Sequence, residues 1–294
     1  MPEPTIDIHD LKKSYGSRAV LNGVNLQVPQ GAVVGLMGTN GSGKSTLIKC
    51  LLNLLHPDSG TARLLDCDSR HLSPAAKERL GYVPQVVYLY PWMKVRYVIG
   101  YTASFYAHWD HAWSDELVRR WHVPLDLRVS ALSTGQLQTL ALVLALGHKP
   151  ELLVLDEPVA SLDPIARREF LRSLLELAGE GSKTVLFSTH ISSDLERVAS
   201  HVAILRGGRI GYFSELDELK DRVKRLRLQS VDRLPADFAI PGSLRTEVDG
   251  PNALAAVADV TPELIELLHR RWDADVRVED LNLEEIFVEL GSDA

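Results

Sequence analysis

The stretch from Gly38 to Thr46 reads GTNGSGKST, and it limits the possible folds more than any other feature of the chain. It follows the apolar run AVVGLM (32–37). It opens a segment in which Leu47, Ile48, Leu51, Leu52 and Leu55 recur at helical spacing, so a helix is expected up to Pro57-Asp58-Ser59-Gly60. Strand, glycine-rich turn and helix in that order make a phosphate-binding loop: successive backbone N–H groups wrap the phosphates and the helix N-terminus adds its dipole. Gly38, Gly41 and Gly43 let the backbone approach closely, and Lys44 places a cation at the β- and γ-phosphates. Ser45 offers a hydroxyl to Mg²⁺ and Thr46 reaches the α-phosphate, while Thr39, Asn40 and Ser42 complete the cradle. The same spacing in isolation can be a chance turn; the strand before it and the helix after it argue otherwise.

A second constellation belongs with the first. LLVLDEP ends at Pro158 and puts Asp156 and Glu157 at the tip of an apolar run, where ligands of open α/β sheets gather. Alone, an acidic pair after a strand is a helix cap or a solvated turn. Downstream of a phosphate loop it reads as a Mg²⁺-holding carboxylate, Asp156, followed by a base, Glu157, placed to polarise the water that attacks the γ-phosphate. LLVL (152–155) and TVLFS (184–188) read as strands buried on both faces of a parallel sheet, with the helical stretch 164–178 as their crossover.

Composition removes several classes of function. With 294 residues and 45% hydrophobic content, there is enough chain for one large or two modest domains. Lys and Arg number 32 against 39 Asp and Glu, a formal charge of −7, which disfavours nucleic acid as the main ligand. Cys50 and Cys67 sit in no CxxC or Cys/His pattern, so no metal-thiolate site and no disulfide framework is expected. The opening MPEPTIDIHD lacks the basic stretch and apolar run of a secretory signal, so a cytoplasmic location is expected. The most apolar segment, 137–146, carries Gln138 and Thr139 and is too short to span a bilayer.

Along the rest of the chain, TIDI, VNLQV and AVVGLM within 5–36 alternate with turn residues at Gly16, Gly23 and Pro29-Gln30-Gly31, which is strand chemistry. Residues 86–150 are mostly helical in pattern and interrupt the α/β alternation as an inserted subdomain. The composition shifts near Ser214, where ELDELKDRVKRLRLQ leads into a small α+β appendage over 214–294. There Thr261-Pro262-Glu263 starts a helix, VRVED is a strand and LEEIFVEL a final amphipathic helix.

Between the two phosphate-site motifs lies LSTGQ, residues 132–136, and here the sequence resembles the ABC ATPase family, whose signature is Leu-Ser-x-Gly-Gln. The resemblance covers residues 5 to about 213 and implies a P-loop α/β fold with an antiparallel β subdomain and a helical subdomain. It implies ATP and Mg²⁺ as ligands, and ATP hydrolysis as the reaction. It assigns Tyr15 to stacking on adenine, Gln85 to the metal and to relaying toward a membrane partner, and His190 to the γ-phosphate. Ser133, Gly135 and Gln136, with Asp163 of Ser161-Leu162-Asp163, would grip the nucleotide bound to an opposing subunit, so a homodimer or heterodimer is implied, docked on an integral membrane subunit at the cytoplasmic face. Individually Tyr15, Gln85 and His190 would be ordinary packing or surface residues; their order and spacing carry the weight. Thr134, Thr139, Leu144, Val159 and Ala160 depart from the family's habit, while every residue expected to act chemically is present.

The ending LNLEEIFVEL is similar to the tail of ATPase subunits from ABC-2-type exporters, and it equally fits a helix that packs the terminus. Export is the leading reading. Import with a regulatory C-terminal domain stays open, as does a non-transport ATPase acting on nucleic acid or ribosomes, although the chain has neither a long coiled coil nor a second phosphate loop. VVYLYPWM (86–93), uncharged and adjoining Gln85, is expected to be half core and half docking groove for a helix of the membrane subunit.

Overall fold

The computed structural model describes residues 3–160, 162–179, 183–235 and 237–291; Ser161 therefore lies outside the described residues. The chain divides into two units, one running to Phe213 and one from Ser214.

In the first unit β1 (Ile6–Tyr15) and β2 (Arg18–Val28) form a hairpin, β3 (Val33–Met37) leads through the phosphate loop to α1 (Lys44–Leu51), and β4 (Ser59–Leu64) and β5 (Cys67–Asp68) return beside β1. Then come α2 (Pro74–Glu78), β6 (Leu80–Val83) and the helical stretch α3 (Val95–Ala103), α4 (His111–Arg120) and α5 (Thr134–Leu146). The strands resume with β7 (Leu152–Asp156), α6 (Pro164–Gly179), β8 (Thr184–Thr189), α7 (Ser192–Val198), β9 (His201–Arg206) and β10 (Arg209–Glu215).

Two sheets result, one antiparallel in the order β2-β1-β4-β5 and one in the order β10-β9-β3-β8-β7-β6, parallel from β9 through β6. Leu47, Ile48 and Leu51 of α1 are buried together with Ile6 and Leu64 of the first sheet and Val154 and Leu186 of the second, so α1 is the wedge that joins them. Every residue of β3, β7 and β8 is buried, as expected of parallel strands covered on both faces. The functional consequence is one of topology. β3, β8, β7 and β6 are neighbours running the same way, so the segments that follow them emerge at one edge, carrying the phosphate loop, His190, Asp156-Glu157 and Gln85.

Two local expectations need correction. Leucine periodicity extends the first helix to Leu55, but α1 ends at Leu51: Asn53 turns left-handed at φ 55°, and the N–H groups of Leu54 and Leu55 fold back onto the Lys49 carbonyl. Gly23 is not a turn between strands. It lies inside β2 at φ 88° and is the extra residue where pairing steps from Leu11–Val24 to Lys12–Asn22, a bulge that a residue without Cβ accommodates.

The second unit comprises α8 (Leu216–Arg222), β11 (Val223–Ser230), β12 (Ser243–Asp249), β13 (Asn252–Ala258), α9 (Pro262–Trp272), β14 (Ala274–Asp280) and α10 (Leu283–Gly291). Its antiparallel sheet has the order β12-β13-β11-β14 and buries Leu226, Leu228, Ala255 and Val257 against Phe238, Ile240 and Leu268. Thr261 caps α9, its hydroxyl accepting the Leu264 N–H at 3.3 Å. The charged stretch that marks the boundary in the sequence forms α8 and the central strand β11. Lys224, Arg225 and Arg227 are matched there by Asp280 at 2.8 Å, Glu285 at 2.9 Å and Glu279 at 3.0 Å.

Candidate active site

The loop after β3 closes on itself through Ser42 N–H to the Thr39 carbonyl at 3.1 Å, and α1 starts at Lys44 with Gly43 as a left-handed cap, φ 108°. No side chain caps this helix, so its first N–H groups face outward, the arrangement that binds anions. A Cβ on Gly43 would meet the Val20 carbonyl and Cγ1, both at 3.1 Å, so β2 presses directly on the loop. Lys44 is buried. Its Nζ donates to the Gly38 carbonyl at 2.8 Å and lies 3.5 Å from Glu157 Oε1.

Asp156 and Glu157 sit where β7 ends. Asp156 is 1% exposed, and its Oδ1 accepts both the Ser188 hydroxyl at 2.7 Å and the Ser45 hydroxyl at 3.0 Å. Burial, and after it the charge of Asp156, push the Tyr82 phenol on neighbouring β6 up to about 12. Glu157 adopts φ 51°, a left-handed conformation costing on the order of 1 kcal/mol for a residue with a side chain, held by its N–H donating to the Ser188 hydroxyl at 3.0 Å. That turn aims the carboxylate back over the loop, where Oε2 meets His190 Nδ1 at 2.8 Å. Strain retained at a buried carboxylate between a lysine and a histidine is a feature of working sites.

These groups line a pocket of about 470 Å³. Asn40, Gly41, Gly43, Lys44, Ser45 and Thr46 form its floor; Gln85, Glu157 and His190 form one wall. Arg18, Val20 and Ala160 complete it and were not read from the sequence. Gly38 is buried beneath the loop, and Thr39 offers its carbonyl to Lys44 at 3.4 Å. The Ser42 hydroxyl is buried with no partner among the described residues. Tyr15 stands at the tip of the β1–β2 hairpin, 52% exposed and opposite Arg18, outside the pocket lining.

For the implied Mg²⁺ the donor set fits. Asp156 Oδ2 is buried with no partner among the described residues, beside a serine hydroxyl already on Oδ1. No cluster of three His, Cys, Asp or Glu side chains able to hold a metal occurs among the described residues. One carboxylate and one hydroxyl, with phosphate oxygens to come from a nucleotide, is the sparse oxygen set that suits Mg²⁺.

The remaining predicted residues are elsewhere. Ser133 caps α5 in a reciprocal box: its hydroxyl accepts the Gln136 N–H at 3.2 Å, and the Gln136 side-chain oxygen accepts the Ser133 N–H at 3.0 Å. Ser133, Gly135, Gln136 and Asp163 line a second pocket of about 600 Å³ between α5 and the start of α6, and the two pockets share no lining residue. Asp163 caps α6 by accepting the N–H groups of Ile165 and Ala166 at 2.9 and 3.0 Å.

A phosphate loop at a parallel-sheet edge with an adjacent acidic pair defines a P-loop nucleotide hydrolase, and comparison with known proteins narrows the class. The family model described as ABC transporter matches residues 21–160. The Nod factor export ATP-binding protein I of Paraburkholderia xenovorans is 34% identical over 99% of this chain and 98% of its own length; that of Bradyrhizobium diazoefficiens is 33% identical over 99% and 97%. A solved ATP-binding subunit of an ABC transporter superposes with a TM-score of 0.67 at 28% identity, over 74% of this chain and 92% of the other. The chain belongs to the ATP-binding proteins of ABC transporters, and it is an ABC-type ATPase. No helix among the described residues is long and apolar enough to cross a membrane.

Proposed function

We propose that this chain is the energy-supplying subunit of an exporter, acting with a second nucleotide-binding chain and a separate membrane subunit against which it lies on the cytoplasmic face. The observation that supports export is the extent of the alignment. Relatives named for export match over 99% of the chain, which takes in the unit from Ser214 onward as well as the ATPase unit.

The chemistry follows from the first pocket. ATP lies with its phosphates on the Asn40–Thr46 N–H groups and Lys44 at the β- and γ-phosphates. Ser45, Asp156 and Gln85 would hold Mg²⁺, which supplies charge neutralisation on the phosphate oxygens. Glu157 takes the proton of the attacking water as its oxygen bonds to the γ-phosphorus; the bond from that phosphorus to the β–γ bridging oxygen breaks, leaving ADP and phosphate. His190, 2.8 Å from Glu157, orients the carboxylate and reaches the γ-phosphate. Ser133, Gly135, Gln136 and Asp163 line a different pocket, so in this reading they close on the nucleotide of the opposing chain.

The partner docks on the segment after Gln85. Tyr88 and Trp92 are 87% and 66% exposed, and an aromatic series runs Trp92, Tyr90, Tyr101, Phe105 at centroid spacings of 5.3, 5.7 and 5.0 Å, the first pair tilted and the other two edge to face. Val87, Leu89 and Met93 are half-buried and the other five residues are exposed, so the packed share of this stretch is smaller than half. Co-expression with a candidate membrane subunit tests the proposal. Substrate should enter inverted vesicles on addition of ATP, whereas uptake by right-side-out vesicles would assign import.

A further inference from the structure

We infer that Arg18 is a nucleotide-binding residue, a second cation that contacts the phosphate chain from the side opposite Lys44; the inference rests on the first pocket being the ATP site. Arg18 and Val20 lie two residues apart on β2, and Val20 is the extra residue where pairing with β1 steps from Lys13–Leu21 to Ser14–Ala19, a bulge that turns both side chains toward the phosphate loop. Val20 packs on Gly43, where an added Cβ would lie 3.1 Å from Val20 Cγ1. Arg18 reaches over Gly41, where the guanidinium Nη2, 3.9 Å from an added Cβ, is the sole heavy atom within 4 Å. Arg18 and Val20 of β2 thus track two successive glycines of the phosphate loop. The first places a guanidinium above the loop, and the second clamps its strand to the loop's backbone.

Charge balance gives that guanidinium a purpose. Lys44 lies 3.5 Å from Glu157 and already donates to the Gly38 carbonyl, so its charge is largely matched inside the pocket. Arg18 lines the same pocket, and its guanidinium has no hydrogen-bond or ion-pair partner among the described residues. An unmatched guanidinium beside a row of outward N–H groups suits phosphate oxygens, which it engages through directed, charge-assisted hydrogen bonds. From its place at the hairpin it meets the α- and β-phosphates, and it therefore serves ATP and ADP alike.

The test is displacement of a fluorescent ATP analogue by ATP, ADP and adenosine, for the wild type and for Arg18→Gln, Arg18→Lys and Lys44→Ala. Arg18→Gln should weaken ATP and ADP by a similar factor of about ten or more, the range of one charge-assisted hydrogen bond, and leave adenosine unchanged. Arg18→Lys should recover part of the loss. Unchanged ATP and ADP affinities in Arg18→Gln, with Lys44→Ala impaired, would overturn the role of Arg18 alone. Equal weakening of adenosine would overturn it too, by assigning the loss to hairpin packing. Unimpaired ATP binding by Lys44→Ala would overturn the pocket's assignment and this inference with it.

Discussion

The two pockets of the ATPase unit are built from opposite materials. The first is made of backbone at the edge of a parallel sheet, with Lys44, Asp156 and Glu157 all less than 10% exposed and held by buried partners. The second is made of two helix N-termini capped by Ser133 and Asp163, both exposed. One is preorganised chemistry and the other is a surface that can be presented to a neighbour. The difference shows which half should hold nucleotide by itself and which should matter only on association.

The largest effect should come from breaking the first pocket. Lys44→Ala should lower ATP affinity by about a hundredfold or more, since the backbone cradle cannot replace the cation at the β- and γ-phosphates. Calorimetry on the isolated chain reads this directly. Ser133→Ala addresses the second pocket and should leave that affinity unchanged. It should lower hydrolysis by about a hundredfold, the range for removing one donor to a developing charge, and cost about 1 kcal/mol of fold stability through the lost cap. Equal damage to ATP binding by both variants would erase the distinction between the pockets.

A smaller effect on chemistry is expected at the aromatic surface. Tyr88→Ser and Trp92→Ser should keep basal hydrolysis within about twofold while removing co-purification with the membrane chain; both side chains are mostly exposed, and surface changes usually alter stability by about 0.5 kcal/mol or less. Loss of basal activity with normal assembly would instead make this stretch part of the core.

The smallest effect concerns pH and the seat of α5. His148, just beyond α5, is buried, donates from Nε2 to the Leu80 carbonyl at 3.1 Å and stacks on Tyr106. Burial holds its pKa below the usual histidine value, outweighing the raising effects of the Leu80 carbonyl and Glu78. Its Nδ1 is buried with no partner among the described residues, so a proton there has no acceptor. The unfolded chain binds that proton more readily, so stability should fall as pH drops through about 6.5 toward the lower folded value. His148→Gln, which retains a donor for Leu80, should flatten that part of the decline, measured as denaturation midpoints at pH 7.5 and 5.5. An identical decline in both proteins would remove His148 as the cause.

Much of the first pocket was legible in the sequence because each position demands a residue type for its own chemical reason: glycine at Gly43, a cation at Lys44, adjacent carboxylates at Asp156 and Glu157. Arg18 and Val20 were not legible. Their place over the loop comes from the β1–β2 hairpin folding back onto it, and no local pattern encodes that contact. In the second unit, α9 and α10 were readable from caps and amphipathic periodicity, but most of the sheet was hidden. β13, NALAAVA, is rich in alanine, the best helix former, and forms a strand because Ala253, Ala255 and Val257 pack beneath the sheet. The charges of β11 disguised a central strand because their partners arrive from β14 and α10.

The central claim is that the two pockets complete each other only across two chains. Glu157→Gln removes the base and retains the phosphate contacts, so this variant should hydrolyse ATP slower by orders of magnitude and hold it in the closed state. Its mass by light scattering, with ATP, Mg²⁺ and the membrane partner present, tests the claim most directly. The account predicts two nucleotide-binding chains in each complex, reverting when ATP is withdrawn. A single such chain at high concentration, with ATP still bound, would contradict it.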